Sequence, residues 1–184
     1  PACKRDMASR LRSISMIVFT FMVVLKFGPI IEFKPNGRFR WTMSPLLPYA
    51  NLSISWGLLI LIWLVQLIIY PGFSRISPEE FKAYHRWYVI RISSVVLPLM
   101  LAELILSIWW VLSNDYSAIS VSAGVLVMIV WLSTFVLQVP IHNRLKAGKE
   151  DREIRHLVAT NWIRTAAWSL KAGVVSIDTL SSTF

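Results

Sequence analysis

Cysteine is all but missing from this chain, with Cys3 the single example. That excludes an intrachain disulfide and a thiolate metal cluster. Acidic residues are also few, 10 against 19 lysines and arginines, and charged residues make up 16%, where soluble domains carry about 25%. There is no HExxH motif, no glycine-rich phosphate loop, no Ser-His-Asp spacing, no internal repeat and no low-complexity tract. The commonest hydrolase and nucleotide-binding signatures are therefore absent. A formal charge of +9 would point to nucleic acid in a soluble protein. No soluble basic module is present to make such contacts, so nucleic acid is not an expected partner. The cations read instead as topology signals and as contacts to anionic lipid.

Apolar length dominates what is present. Residues 51–70, 92–111, 118–139 and 157–177 form four long apolar stretches bounded by charge, and 13–31 forms a weaker fifth interrupted by Lys26. A hydrocarbon core about 30 Å thick needs roughly 20 helical residues, and each main stretch meets that length. The segment 13–31 follows a basic stretch, but Phe27, Pro29 and Ile31 offer no small-x-small cleavage site, so it reads as a retained span. The expected fold is an all-α integral membrane protein. It comprises an antiparallel bundle of four core transmembrane helices (51–177), preceded by an extension (1–50) carrying the fifth and followed by a tail (178–184).

Charge sets the expected orientation. Lys4, Arg5, Arg10 and Arg12, then Arg75, Lys82, Arg86 and Arg91, then Arg144, Lys146, Lys149, Arg152 and Arg155 fall on one side. Lys34, Arg38 and Arg40 fall on the other, giving thirteen cations against three. The positive-inside rule places the larger set, and the N-terminus, in the cytoplasm of a bacterial inner membrane, with the C-terminus opposite. A four-span reading in which 13–31 does not cross is the alternative. Pro71-Gly72 and Pro140 are expected to end helices, because proline cannot continue them. Ser77-Pro78-Glu79-Glu80 is a helix start with serine as cap, and residues 113–117 form a tight outer hairpin.

Ionisable residues within spans are functional candidates. At 1.5 Å per residue, Glu103 lies about 18 Å from the inner face, Lys171 about 21 Å and Lys26 about 20 Å. One buried acid thus has two cations at its level, and an intramembrane ion pair of Glu103 with Lys171 or Lys26 is expected. Its role is either to fix helix packing or to relay protons, and a relay would need more buried acids. Gln66 and Tyr70 share a helix face, as do Asn161, Arg164 and Trp168. With His85 and His142 they place two imidazoles, two amides, a phenol and a guanidinium at the inner boundary. This group can hold an anionic or phenolic head with its aromatic part among the helices, or it is an interfacial network touching lipid phosphates. His85, His142, Asn161 and Arg164 are expected to line one cavity flanked by Tyr70 and Trp168. His85 and His142 are also candidate catalytic bases and candidate haem or pigment ligands. No metal site is expected.

The segments VQLIIYPGF, FKAYHRWY, VVLPLMLAEL, VPIHNRLKAGKE and LVATNWIRTAAW together resemble small bacterial four-helix membrane proteins of the anthrone-oxygenase-like family, long treated as a domain of unknown function. The resemblance covers roughly residues 51–171. It implies oxidation of polycyclic phenolic anthrones without an obvious bound cofactor, with Gln66, Tyr70, His85, Glu103, His142, Asn161 and Arg164 at the matching positions. Residues 1–50 fall outside it, and an added helix there suits docking in a larger complex. Three readings follow. The first is a non-catalytic subunit or hydrophobic-ligand-binding component of a membrane complex or homo-oligomer. The second is an oxygenase-like enzyme, and the third a haem- or pigment-binding bundle.

Overall fold

The computed structural model describes residues 30–33, 39–42 and 47–181. Four long helices make up nearly all of it: α1 Leu47–Arg75, α2 Pro78–Ser113, α3 Ala118–Leu145 and α4 Asp151–Ser181. Ahead of them, β1 Ile30–Phe33 pairs antiparallel with β2 Phe39–Thr42, where the sequence reading has part of a loop and the end of its fifth span. The rest of that span, with Lys26, lies outside the described residues.

Side chains show how the helices run. Along α1 and α4, Trp56 donates to Ser176 at 3.0 Å, Trp63 to Ser169 at 3.3 Å, and Gln66 to the Val158 carbonyl at 3.1 Å. Rising numbers on one helix meet falling numbers on the other, so the pair is antiparallel. At one end α3 meets α4 through Arg144 and Glu153, 2.8 Å apart. Lys149 donates to the Ser74 and Ile76 carbonyls at 2.7 and 2.9 Å, capping the end of α1 as a cation near a helix C-terminus does. Ser77 caps α2, its hydroxyl accepting from the Glu80 amide. The α2–α3 turn places Asp115 and Tyr116 at φ 47 and 58, and Ser117 caps α3.

Two proline expectations are corrected. Pro71-Gly72 does not stop α1, which continues to Arg75, and Pro140 does not stop α3, which continues to Leu145. Each proline follows a π-helical segment, Val65–Ile69 in α1 and Thr134–Gln138 in α3. The Tyr70 amide bonds back to Val65 and the Val139 amide to Thr134, each five residues earlier. The wide turn takes up one extra residue and carries the carbonyl that would clash off the proline ring. Helix α2 likewise runs unbroken past Pro98.

The packing is inside-out for a protein in water. Ile68, Val136 and Ile177 are 64%, 65% and 68% exposed, and Trp56, Trp63 and Trp162 also face outward. Inside lie Asn51, Gln66, His85, Glu103, Asn161, Arg164 and Lys171 alongside an apolar core built on Leu58, Ile62, Phe73, Phe81, Leu157 and Trp168. An apolar face wrapping the helices is far larger than a soluble monomer exposes. Helices α1, α2 and α3 are each long and apolar enough to cross a bilayer. The protein is a helical integral membrane protein. Several hydroxyls within the helices bond back to carbonyls of their own turn, as Ser55 does to Asn51 and Thr134 to Val130, which satisfies them without water.

Candidate functional site

The π segment in α1 turns Gln66 fully inward. Its carbonyl oxygen accepts from Asn161 at 2.8 Å and from Thr165 at 3.4 Å. Asn161 Oδ1 in turn accepts from Arg164 at 3.2 Å. The π segment in α3 does the same for Gln138, which donates to Thr160 at 3.2 Å. Each wide turn therefore supplies a buried amide that ties its helix to α4.

One turn further along α1 is Tyr70. Its hydroxyl is 3.1 Å from His142 Nε2, and His142 Nδ1 is 3.0 Å from His85 Nε2. The two imidazoles are stacked, with centroids 5.3 Å apart. Phe73 and Phe81 pack on His85. Tyr88 and Arg164 lie beside the Tyr70 hydroxyl. A phenol and two imidazoles thus form one hydrogen-bonded row across α1, α3 and α2.

The row borders a cavity of about 290 Å³ between α1, α2 and α3. Most of its wall is apolar, including Val65, Ile92, Val96, Met100, Trp131 and Phe135. At its polar side are Tyr70, Tyr88, His142 and Arg164, and the exposed Asn143 and Lys146 also border it. Of the residues expected to surround a cavity, Tyr70, His142 and Arg164 do so. His85, Asn161 and Trp168 do not, because each is turned into contacts with a neighbouring helix and stands behind the lining, as does the ligand-binding candidate Gln66.

Arg164 is the unusual member. It is buried, its guanidinium lies 5.0 Å over the Trp168 ring, and its Nε has no hydrogen-bond partner among the described residues. Among the described residues no carboxylate pairs with it. The buried acid, Glu103, is engaged elsewhere: Oε1 is 3.0 Å from Lys171 Nζ and Oε2 accepts from Trp168 at 2.7 Å. Lys171 also donates to Asn51 at 2.9 Å and to Ser55 at 2.7 Å. Among the described residues the Glu103 and Lys171 charges balance one another, and that of Arg164 is not balanced.

His85 and His142 do not fit as a pair of haem ligands. Iron between two imidazoles needs their nitrogens roughly 4 Å apart, two bonds of about 2 Å. Here the facing nitrogens are 3.0 Å apart and hydrogen-bonded. Among the described residues no cluster of three or more His, Cys, Asp or Glu is placed to hold a metal ion.

Sequence reasoning missed Tyr88, Gln138, Asn51 and Ser55. Tyr88 is three residues from His85, and Ser55 four from Asn51, so shared faces were the available signal. Gln138 lies two residues before Pro140, inside the wide turn. No family model, no curated protein and no solved structure matches this chain.

Proposed function

We propose that this protein is a hydrophobic-ligand-binding component of a membrane complex. Its ligand is an apolar molecule with an acidic or anionic oxygen head, held between α1, α2 and α3. The observation that carries this is the uncompensated buried Arg164 at the polar side of an otherwise apolar cavity. A buried charge without a partner costs several kcal/mol. An oxyanion supplied by a ligand would offset that cost, and Tyr70, Tyr88 and His142 would complete its hydrogen bonds. In this reading all four described helices cross the membrane, the segment 13–31 adds a fifth crossing, and the N-terminus is cytoplasmic in a bacterial inner membrane.

The test is equilibrium binding of a lipophilic hydroxycoumarin, followed by its fluorescence, to the full chain in detergent. Wild type is expected to bind at one saturable site. Losing a charged partner costs about 2 kcal/mol or more, so Arg164→Met is expected to weaken binding roughly thirtyfold or more. Thr134→Trp, which fills the cavity, is expected to abolish binding. Equal binding by wild type and both variants would overturn the reading.

A second reading, an anthrone-oxygenase-like enzyme, is favoured by one observation: an imidazole, His142, borders the cavity beside the guanidinium, so a base and a phenolate-stabilising cation share one pocket. Oxygen uptake on a polycyclic phenolic substrate, lost in His142→Phe, would establish it.

A further inference from the structure

The row Tyr70–His142–His85 does more than brace three helices. Its two hydrogen bonds are of ordinary length, 3.1 and 3.0 Å. One end, Tyr70, borders the cavity. The other end, His85 Nδ1, is buried and has no partner among the described residues, in the second turn of α2. Each imidazole can take a proton on one nitrogen and release one from the other. The row therefore has two neutral arrangements with the same number of protons. In the first, Tyr70 donates to His142 Nε2, His142 Nδ1–H donates to His85 Nε2, and His85 carries its proton on Nδ1. In the second, every bond is reversed: His85 Nε2–H donates to His142, His142 Nε2–H donates to Tyr70, and the Tyr70 hydroxyl is free to donate into the cavity.

We propose that this row is a proton relay that removes the acidic proton of a ligand held in the cavity and releases one at His85 Nδ1. The proposal rests on the ligand-binding reading above. The ligand O–H bond breaks and its proton goes to the Tyr70 oxygen. The Tyr70 proton passes to His142 Nε2 and the Nδ1 proton of His142 passes to His85 Nε2; the Nδ1 proton of His85, closed off from solvent in this structure, goes to a water that a local opening of the first turns of α2 must admit. The products are a ligand oxyanion, a hydronium ion and a row in its second arrangement, so protons and charge balance. Arg164 faces the new anion, and the Tyr70 hydroxyl now donates to it.

The surroundings favour this neutral route. Tyr88, Arg164 and Lys146 are the titratable and charged groups nearest the row. A resident imidazolium would be repelled by two of the three, whereas a concerted shift leaves both rings neutral. Phe73 and Phe81 hold the His85 ring in a fixed orientation, as a directional chain requires. The relay also explains why His85 is buried behind the lining and why one of its nitrogens has no partner among the described residues.

The experiment uses the full chain in detergent, labelled with ¹⁵N on its three histidines, and the same lipophilic hydroxycoumarin, whose phenol and phenolate absorb at different wavelengths. His156 is exposed and serves as the internal control. At neutral pH the bound probe is expected to be phenolate. On binding, His85 should change from the Nδ1–H to the Nε2–H form and His142 from Nδ1–H to Nε2–H, with His156 unchanged. Replacing His85 by phenylalanine, which suits its aromatic surroundings, should raise the phenol–phenolate midpoint of bound probe by about one unit or more, a tenfold change. Phenolate bound with both tautomers unchanged overturns the relay while leaving the binding site intact, as does probe bound as neutral phenol. A wild-type protein that binds no probe sinks the binding site and the relay together.

Discussion

Arg164 and Lys171 stand two turns apart on α4, yet their charges are met differently. Lys171 donates to Asn51 and Ser55 and stands 3.0 Å from the Glu103 carboxylate, so its charge is met by an opposite charge and two polar oxygens. Arg164 finds an amide oxygen, an indole face and the cavity. Counting residues from the inner face was enough to put Glu103 and Lys171 on one level, because helical rise is fixed. Asn51 and Ser55 were not legible, because their contact depends on how α1 is rotated against α4, which a single helix pattern does not encode. Removing one member of a buried pair strands the other and typically costs about 3–5 kcal/mol. Glu103→Gln and Lys171→Met are each expected to destabilise the protein in detergent. The double variant should be more stable than the sum of the two losses predicts, as measured by thermal unfolding. Strictly additive losses would mean that the two charges do not stabilise one another.

Helices α1 and α3 share a device, a π segment followed after one residue by proline. The sequence shows the prolines but not the wide turns, because apolar residues on a lipid-exposed helix carry no periodic signal for one extra residue per turn. That is why both helices were read as ending too early. The consequence reaches the site. The turns bring Gln66 and Gln138 onto α4, and the helix that continues past them carries Tyr70 and His142 to one place. Pro71 and its π segment should therefore depend on each other. Deleting Leu67, which faces outward, would close the wide turn and set Pro71 against a regular helical carbonyl, at a cost of about 3 kcal/mol. Combining the deletion with Pro71→Ala should return most of that stability. A loss that Pro71→Ala leaves unchanged would show that the wide turn does not serve the proline.

As a whole, the molecule reverses the usual placement of polar groups, and that reversal was readable early. Four apolar stretches separated by charged loops leave little choice of environment. The helix least apolar by sequence, α4, carries the inward stripe of Asn161, Arg164, Trp168 and Lys171 and contributes to every polar side-chain contact between helices described above except the histidine pair and its bond to Tyr70. Its span was legible as a length, and its role as the polar spine was legible only as a spacing of three and four residues. Orientation rests on a different argument. The α2–α3 turn carries no lysine or arginine, while the α3–α4 loop and its flanks carry Arg144, Lys146, Lys149, Arg152 and Arg155. One helix, α3, separates the two, so if it crosses the bilayer they must lie on opposite sides, and the positive-inside rule predicts that the cations lie on the cytoplasmic one. Cys3 can be changed to serine to give a cysteine-free background. Ala118 and Ala147 are both exposed, at the two ends of α3. A membrane-impermeant maleimide added to intact cells should label Ala118→Cys and spare Ala147→Cys until the membrane is permeabilised. Labelling of both positions in intact cells would mean that α3 does not cross the membrane. The reverse pattern would keep the crossing but invert the protein, placing the cavity edge that Lys146 borders on the outer side.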